Sequence, residues 1–127
     1  MERRVVVITG LGAITPIGKD VNESWNSILN KKCGIDNISL FDNSTFKTKV
    51  DAEVKNYESQ EYFDLKQSKR LDRSSQFAII ASREAFKDSG ITKENTDFER
   101  VGVFVSSGIA GLSTIQEQCT INCTKGH

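Results

Sequence analysis

Apolar residues along this chain gather in short blocks, and the blocks follow two different periods. Residues 5–9, VVVIT, form an unbroken, mostly β-branched run. That pattern predicts a strand covered on both faces of a sheet. A glycine-rich turn follows, and then a helical period begins. Val21, Trp25, Ile28 and Leu29 fall on one stripe of a helix predicted over residues 21–32. Asp20 and Glu23 stand at capping-box spacing before it, and Gly34 is placed to stop it. Residues 39–56 are polar and interrupted, with Phe41, Phe46, Val50 and Val54 as apolar anchors. They read as a loop leading to a short strand over 49–54.

A second helical region is predicted over residues 64–89. Phe77, Ile80, Ala81, Ala85 and Asp88 carry its period, and Gly90 ends it. After a charged connection, residues 101–106, VGVFVS, give another buried-strand pattern, followed by the small-residue turn of residues 107–111. A last helix is predicted over 112–122, with Leu112, Ile115 and Cys119 on one side. Strands alternating with helices predict a parallel or mixed α/β sheet. Sites in such sheets collect at the carboxyl ends of strands, where both glycine turns fall.

The first turn invites comparison with a dinucleotide-binding loop, whose backbone N–H groups cradle a phosphate at a helix N-terminus. Its spacing argues against that. The glycines are Gly10, Gly12 and Gly18, and Thr15 occupies the third expected position. Pro16 pushes Thr15 toward an extended conformation, so no helix runs through it. Nor does an acidic residue follow a second strand at the distance expected for a ribose contact. A structural turn is the favoured reading, which leaves a nicotinamide-dependent oxidoreductase as a distant alternative.

Composition narrows the picture further. Seventeen basic and seventeen acidic residues cancel over 127 positions, so no global field favours nucleic acid or a membrane surface. The apolar run after Arg3 and Arg4 is shorter than a signal-peptide core, and no segment approaches a transmembrane span. A soluble, cytoplasmic protein is expected. Cys33, Cys119 and Cys123 are odd in number and suggest no disulfide framework. Cys119, Cys123 and His127 are spaced four apart, but the pattern is not that of a zinc site, so no metal and no cofactor is expected.

The catalytic inventory is thin. No cysteine sits in a strand-to-helix elbow, the single histidine is His127, and the G-x-S-x-G motif is absent. The clearest charged feature is Lys66, Lys69, Arg70 and Arg73, whose spacings put them on one face of the second helical region. Such a cluster is either a solvated helix face, partly neutralised by Asp64 and Asp72, or a docking patch for an acidic partner.

Several segments together resemble the N-terminus of the β-ketoacyl-acyl-carrier-protein synthases. They are residues 6–12, VVITGLG, with residues 15–18, TPIG; Gly34-Ile35; Phe41-Asp42; and Thr48-Lys49. The match continues through Leu71-Asp72-Arg73, Phe77-Ala78, residues 85–90, AFKDSG, Val101-Gly102-Val103 and residues 107–112, SGIAGL. It covers essentially the whole chain in order and is closer to the synthase II branch than to synthase I. The resemblance implies a thiolase-like α/β fold, of which residues 1–127 are the N-terminal portion: a mixed sheet with packed helices, incomplete by itself. Such enzymes move an acyl group from acyl carrier protein to a cysteine. They then condense it with malonyl-acyl carrier protein and release carbon dioxide. The family's catalytic set is one cysteine and two histidines, and no residue of this chain matches it.

By the same resemblance Lys66, Lys69 and Arg70 match a carrier-protein docking surface, and Gly108 with Ile109 matches the lining of the acyl pocket. The family implies acyl carrier protein as partner and a homodimer for the full-length enzyme, with neither nucleic acid nor membrane. Two functions from different classes follow: a fatty-acid condensing enzyme of which this chain is an N-terminal fragment, inactive alone, or a non-enzymatic carrier-protein-binding module.

Overall fold

A computed structural model of the chain describes residue 3 and residues 5–126. They fall into two units. One joins the described residues up to Tyr57 with Ile80–Thr96, and the other joins Glu58–Ile79 with the described residues from Asp97 onward. The described helices are α1 (Val21–Leu29), α2 (Leu65–Arg70), α3 (Arg73–Asp88) and α4 (Leu112–Lys125). The strands are β1 (Asp36–Asn37) and β2 (Val50–Asp51), which pair antiparallel with Asp36 opposite Asp51 and Asn37 opposite Val50.

In the first unit an extended segment runs into the glycine turn, which packs on α3. The contact is backbone against backbone. A Cβ on Gly12 would collide with the Ala81 carbonyl oxygen, and one on Gly10 with that of Ala85. Ala81 and Ala85 lie one turn apart, so small residues on both sides permit this approach. Two carboxylates of α3 then fix the turn. Glu84 accepts the N–H of Ala13 at 2.8 Å and that of Val21 at 2.9 Å, and Asp88 accepts the N–H of Leu11 at 2.9 Å. A bridge between Thr15 and Gly18 closes the tip around Pro16 and Ile17.

Helix α1 starts as its capping residues predict. Asp20 accepts the N–H of Glu23 at 2.7 Å, and the Glu23 carboxylate reaches back to the N–H of Lys19 at 2.8 Å. It stops three residues earlier than expected and without Gly34. Lys31 takes the left-handed conformation (φ 57°), and the N–H groups of Lys31 and Lys32 bond back to Ile28 and Ser27. That is a Schellman ending with lysine at the position glycine usually takes. The apolar stripe also faces the other way. Ser24 and Ser27 are buried, while Trp25, Ile28 and Leu29 are more than half exposed. The serine hydroxyls hold this orientation by bonding to the turn, Ser24 with Thr15 Oγ1 at 2.9 Å and Ser27 to the Ile17 carbonyl at 2.6 Å.

In the second unit the single helix expected over 64–89 is two. Asp64 caps α2 by accepting the N–H of Gln67 at 2.7 Å. Leu71 is extended (φ −97°, ψ 125°) and ends it. Asp72 opens α3, accepting the N–H of Ser75 at 3.0 Å and the Ser74 hydroxyl at 2.5 Å. Buried Gln76 donates to the carbonyls of Ser68 and Leu71, satisfying the end of α2 across the break. Asp residues favour caps over helix interiors, so Leu71-Asp72 is a boundary that apolar period alone does not reveal. Helix α4 runs three residues beyond the expected end.

The strand expectations need correction. Residues 5–9 and 101–106 are in no ladder, and among the described residues the paired sheet is the short antiparallel β1–β2 hairpin rather than a parallel or mixed one. The 49–54 strand reduces to Val50–Asp51. An apolar run states that a segment needs cover and ladder partners, but those partners are not local, and the described residues supply none.

Candidate functional site

Helix α2 carries the charged candidates. Lys66, Lys69 and Arg70 are all exposed, and their i, i+3 and i+4 positions place them on one face. Arg73 does not belong to that face, because the Leu71-Asp72 break separates it. Its guanidinium instead lies over the Phe77 ring, 5.1 Å from the centroid. Asp72 lies beyond the Leu71 break, where its ionised carboxylate caps α3. The Ser74 hydroxyl, followed by the Ser75 amide, lowers its carboxyl to a pKa of about 2. The α2 cations form a basic face on a helix of six residues, with the exposed Asp64 carboxylate capping its start.

Gly108 and Ile109 lie on the exposed stretch before α4. Ile109 is 71% exposed, and a Cβ at Gly108 would meet no atom within 4 Å. A nearby hollow of about 580 Å³ is formed by Ser74, Phe77 and Ala78 of α3 with Val105, Ser107 and Ala110. Gly108 and Ile109 are not among its lining residues. The hollow is mostly apolar, the surface an alkyl chain would require.

The glycine turn does not offer a phosphate site. Its Leu11 and Ala13 amides are already donated to Asp88 and Glu84. Two carboxylates therefore stand where an anion would have to approach, which supports the structural reading. Sequence reasoning missed Glu84 altogether; its position four residues before Asp88, on the face with Ala81 and Ala85, was the available signal. In the same unit a hollow of about 310 Å³ is lined partly by Lys32, Cys33, Glu53 and the 2.6 Å Asp36–Lys55 ion pair. Acid and base balance there. Buried Glu53 is held below the usual carboxylate range by the Ser39 hydroxyl and then the Ser39 amide.

The three cysteines are free and exposed. Among the described residues no three His, Cys, Asp or Glu side chains gather as a metal site, and no helix is long and apolar enough to cross a membrane. His127 lies outside the described residues.

The chain is similar along nearly its whole length to known proteins. Over 115 residues it is 38% identical to 3-oxoacyl-acyl-carrier-protein synthase 2 of Staphylococcus aureus, covering 91% of this chain and 28% of that protein. Over 126 residues it is 40% identical to the synthase 2 of Coxiella burnetii and 36% identical to that of Synechocystis, covering 99% of this chain and 30% of each relative. It thus spans less than a third of the length of these curated relatives. The family model "Beta-ketoacyl synthase, N-terminal domain" matches residues 3–124. The chain belongs to the β-ketoacyl synthase family, through its N-terminal domain.

Proposed function

We propose that this chain is the N-terminal part of a 3-oxoacyl-acyl-carrier-protein synthase of the synthase 2 type, acting in fatty-acid biosynthesis with a thiolase-like fold. The observation that carries this reading is near-complete, in-order similarity to relatives bearing that name. The reaction joins an enzyme-bound acyl thioester to the carbanion left when malonyl-acyl carrier protein loses carbon dioxide. The cysteine thiolate leaves, and 3-oxoacyl-acyl carrier protein is the product. None of Cys33, Cys119 and Cys123 matches the family's nucleophile, so the bond-making chemistry belongs to polypeptide other than these residues.

The role of this chain is then recognition. The positive face of Lys66, Lys69 and Arg70 complements an acidic carrier protein, and complementary charge speeds encounter and fixes orientation. Gly108 and Ile109 contribute to the acyl pocket, and the complete enzyme is a cytoplasmic homodimer. The test is a condensation assay with malonyl-acyl carrier protein and a series of carrier-linked acyl donors. The complete polypeptide is expected to form 3-oxoacyl-acyl carrier protein, and the 127-residue chain alone to give no turnover. Inactivity of the complete polypeptide with every donor overturns the assignment.

A further inference from the structure

Helix α4 carries Cys119 and Cys123 four positions apart, both as free thiols. One helical turn separates them, so their Cβ atoms stand about 5–6 Å apart on one face. That register belongs to α4 itself and needs no neighbour. The helix is closed at its ends by its own main chain, Ile115 N–H to the Gly111 carbonyl at 2.9 Å and Gly126 N–H to that of Asn122 at 3.3 Å. Its charged side chains stand off the thiol face, Glu117 two positions before Cys119 and Lys125 two after Cys123. The hydroxyls of Thr120 and Thr124 turn back to the carbonyls of Gln116 and Thr120. Two sulfurs are left as the soft donors of this face.

The spacing decides what the pair can hold. A direct disulfide needs Cβ atoms about 3.5–4.5 Å apart, closer than one undistorted helical turn brings them. A single soft atom placed between the sulfurs makes up the difference. Structural zinc takes four ligands, and among the described residues no third His, Cys, Asp or Glu joins the pair. A trivalent arsenic atom that already carries one organic group needs only two. We propose that Cys119 and Cys123 form a chelating dithiol that binds a trivalent arsenical across one turn of α4. With an oxide RAs=O, two As–S bonds form while two S–H bonds and the As=O bond break. Both protons leave with the oxide oxygen as one water. Arsenic stays trivalent, so the step needs no oxidant or reductant. The second As–S bond closes within one molecule, at an effective concentration that strengthens retention well beyond that of a single thiol. The proposal is independent of the condensing reaction, and either can fail without the other.

Phenylarsine oxide added to the native, complete polypeptide tests it, with the adduct read by intact-mass spectrometry after a competing thiol is added. The adduct is expected to resist the monothiol 2-mercaptoethanol and to come off with 1,2-ethanedithiol. Cys119→Ser and Cys123→Ser are each expected to lower the monothiol concentration that releases half the adduct by roughly a hundredfold. Cys33→Ser is expected to leave it unchanged. Combining Cys123→Ser with Ile121→Cys keeps the number of thiols but moves the second sulfur to another face, and it is expected to behave like the single serine variants. Absence of an adduct on the native polypeptide, or its ready release by monothiol, overturns the proposal. So does undiminished retention in either serine variant or in the combined one, or an equal loss in Cys33→Ser.

Discussion

Gly12 shows how one missing Cβ governs a local structure. Its α-carbon faces the Ala81 carbonyl so closely that any side chain must push the turn off α3. Gly12→Ala is therefore expected to destabilise the chain by about 2 kcal/mol, in the range of forced overpacking, read as a lower midpoint in urea. Asp72 gives a second residue-scale prediction, with a definite sign in pH. Its carboxyl is held at about 2 in the folded chain, below the ordinary 3.8. The unfolded chain therefore takes up the proton first. The stabilisation is complete above 3.8 and is lost as pH falls toward about 2. Asp72→Ala is expected to cost about 1 kcal/mol at neutral pH. The gap from the wild-type chain should close across that acid window in pH-dependent denaturation, and a gap that stays constant contradicts the assignment.

At the scale of elements, local signals were legible and partnerships were not. Asp20 and Glu23 mark the start of α1, and Gly90 follows closely on the end of α3, because caps and stops act within a few residues. The stripe of Val21, Trp25, Ile28 and Leu29 is equally visible, yet it does not say which face is buried. Here two serine hydroxyls reaching Thr15 and Ile17 decide that. Likewise the basic cluster was visible as a set of four, but the Asp72 cap divides it and leaves three on α2. Those three carry a prediction. Reversing Lys66, Lys69 and Arg70 to Glu in the complete polypeptide is expected to weaken carrier-protein binding by roughly tenfold or more and flatten its salt dependence. Titration at several ionic strengths measures both, and an unchanged slope removes the patch from the docking surface.

For the whole molecule, family membership was legible because many short segments occur in the right order, not because any one of them carries chemistry. The sheet was not legible, since residues 5–9 and 101–106 announce a need for strand neighbours without naming them, and the described residues pair only β1 with β2. The clamp formed by Glu84 and Asp88 has a further consequence, for the order of events in folding. Its bonds span 77, 71 and 63 positions along the chain, and closing loops of that length is slow compared with forming a helix. During synthesis the amides of Leu11, Ala13 and Val21 must therefore wait in water until α3 has emerged from the ribosome. Residues of the turn are made well before α3 and wait for it to find their bonds.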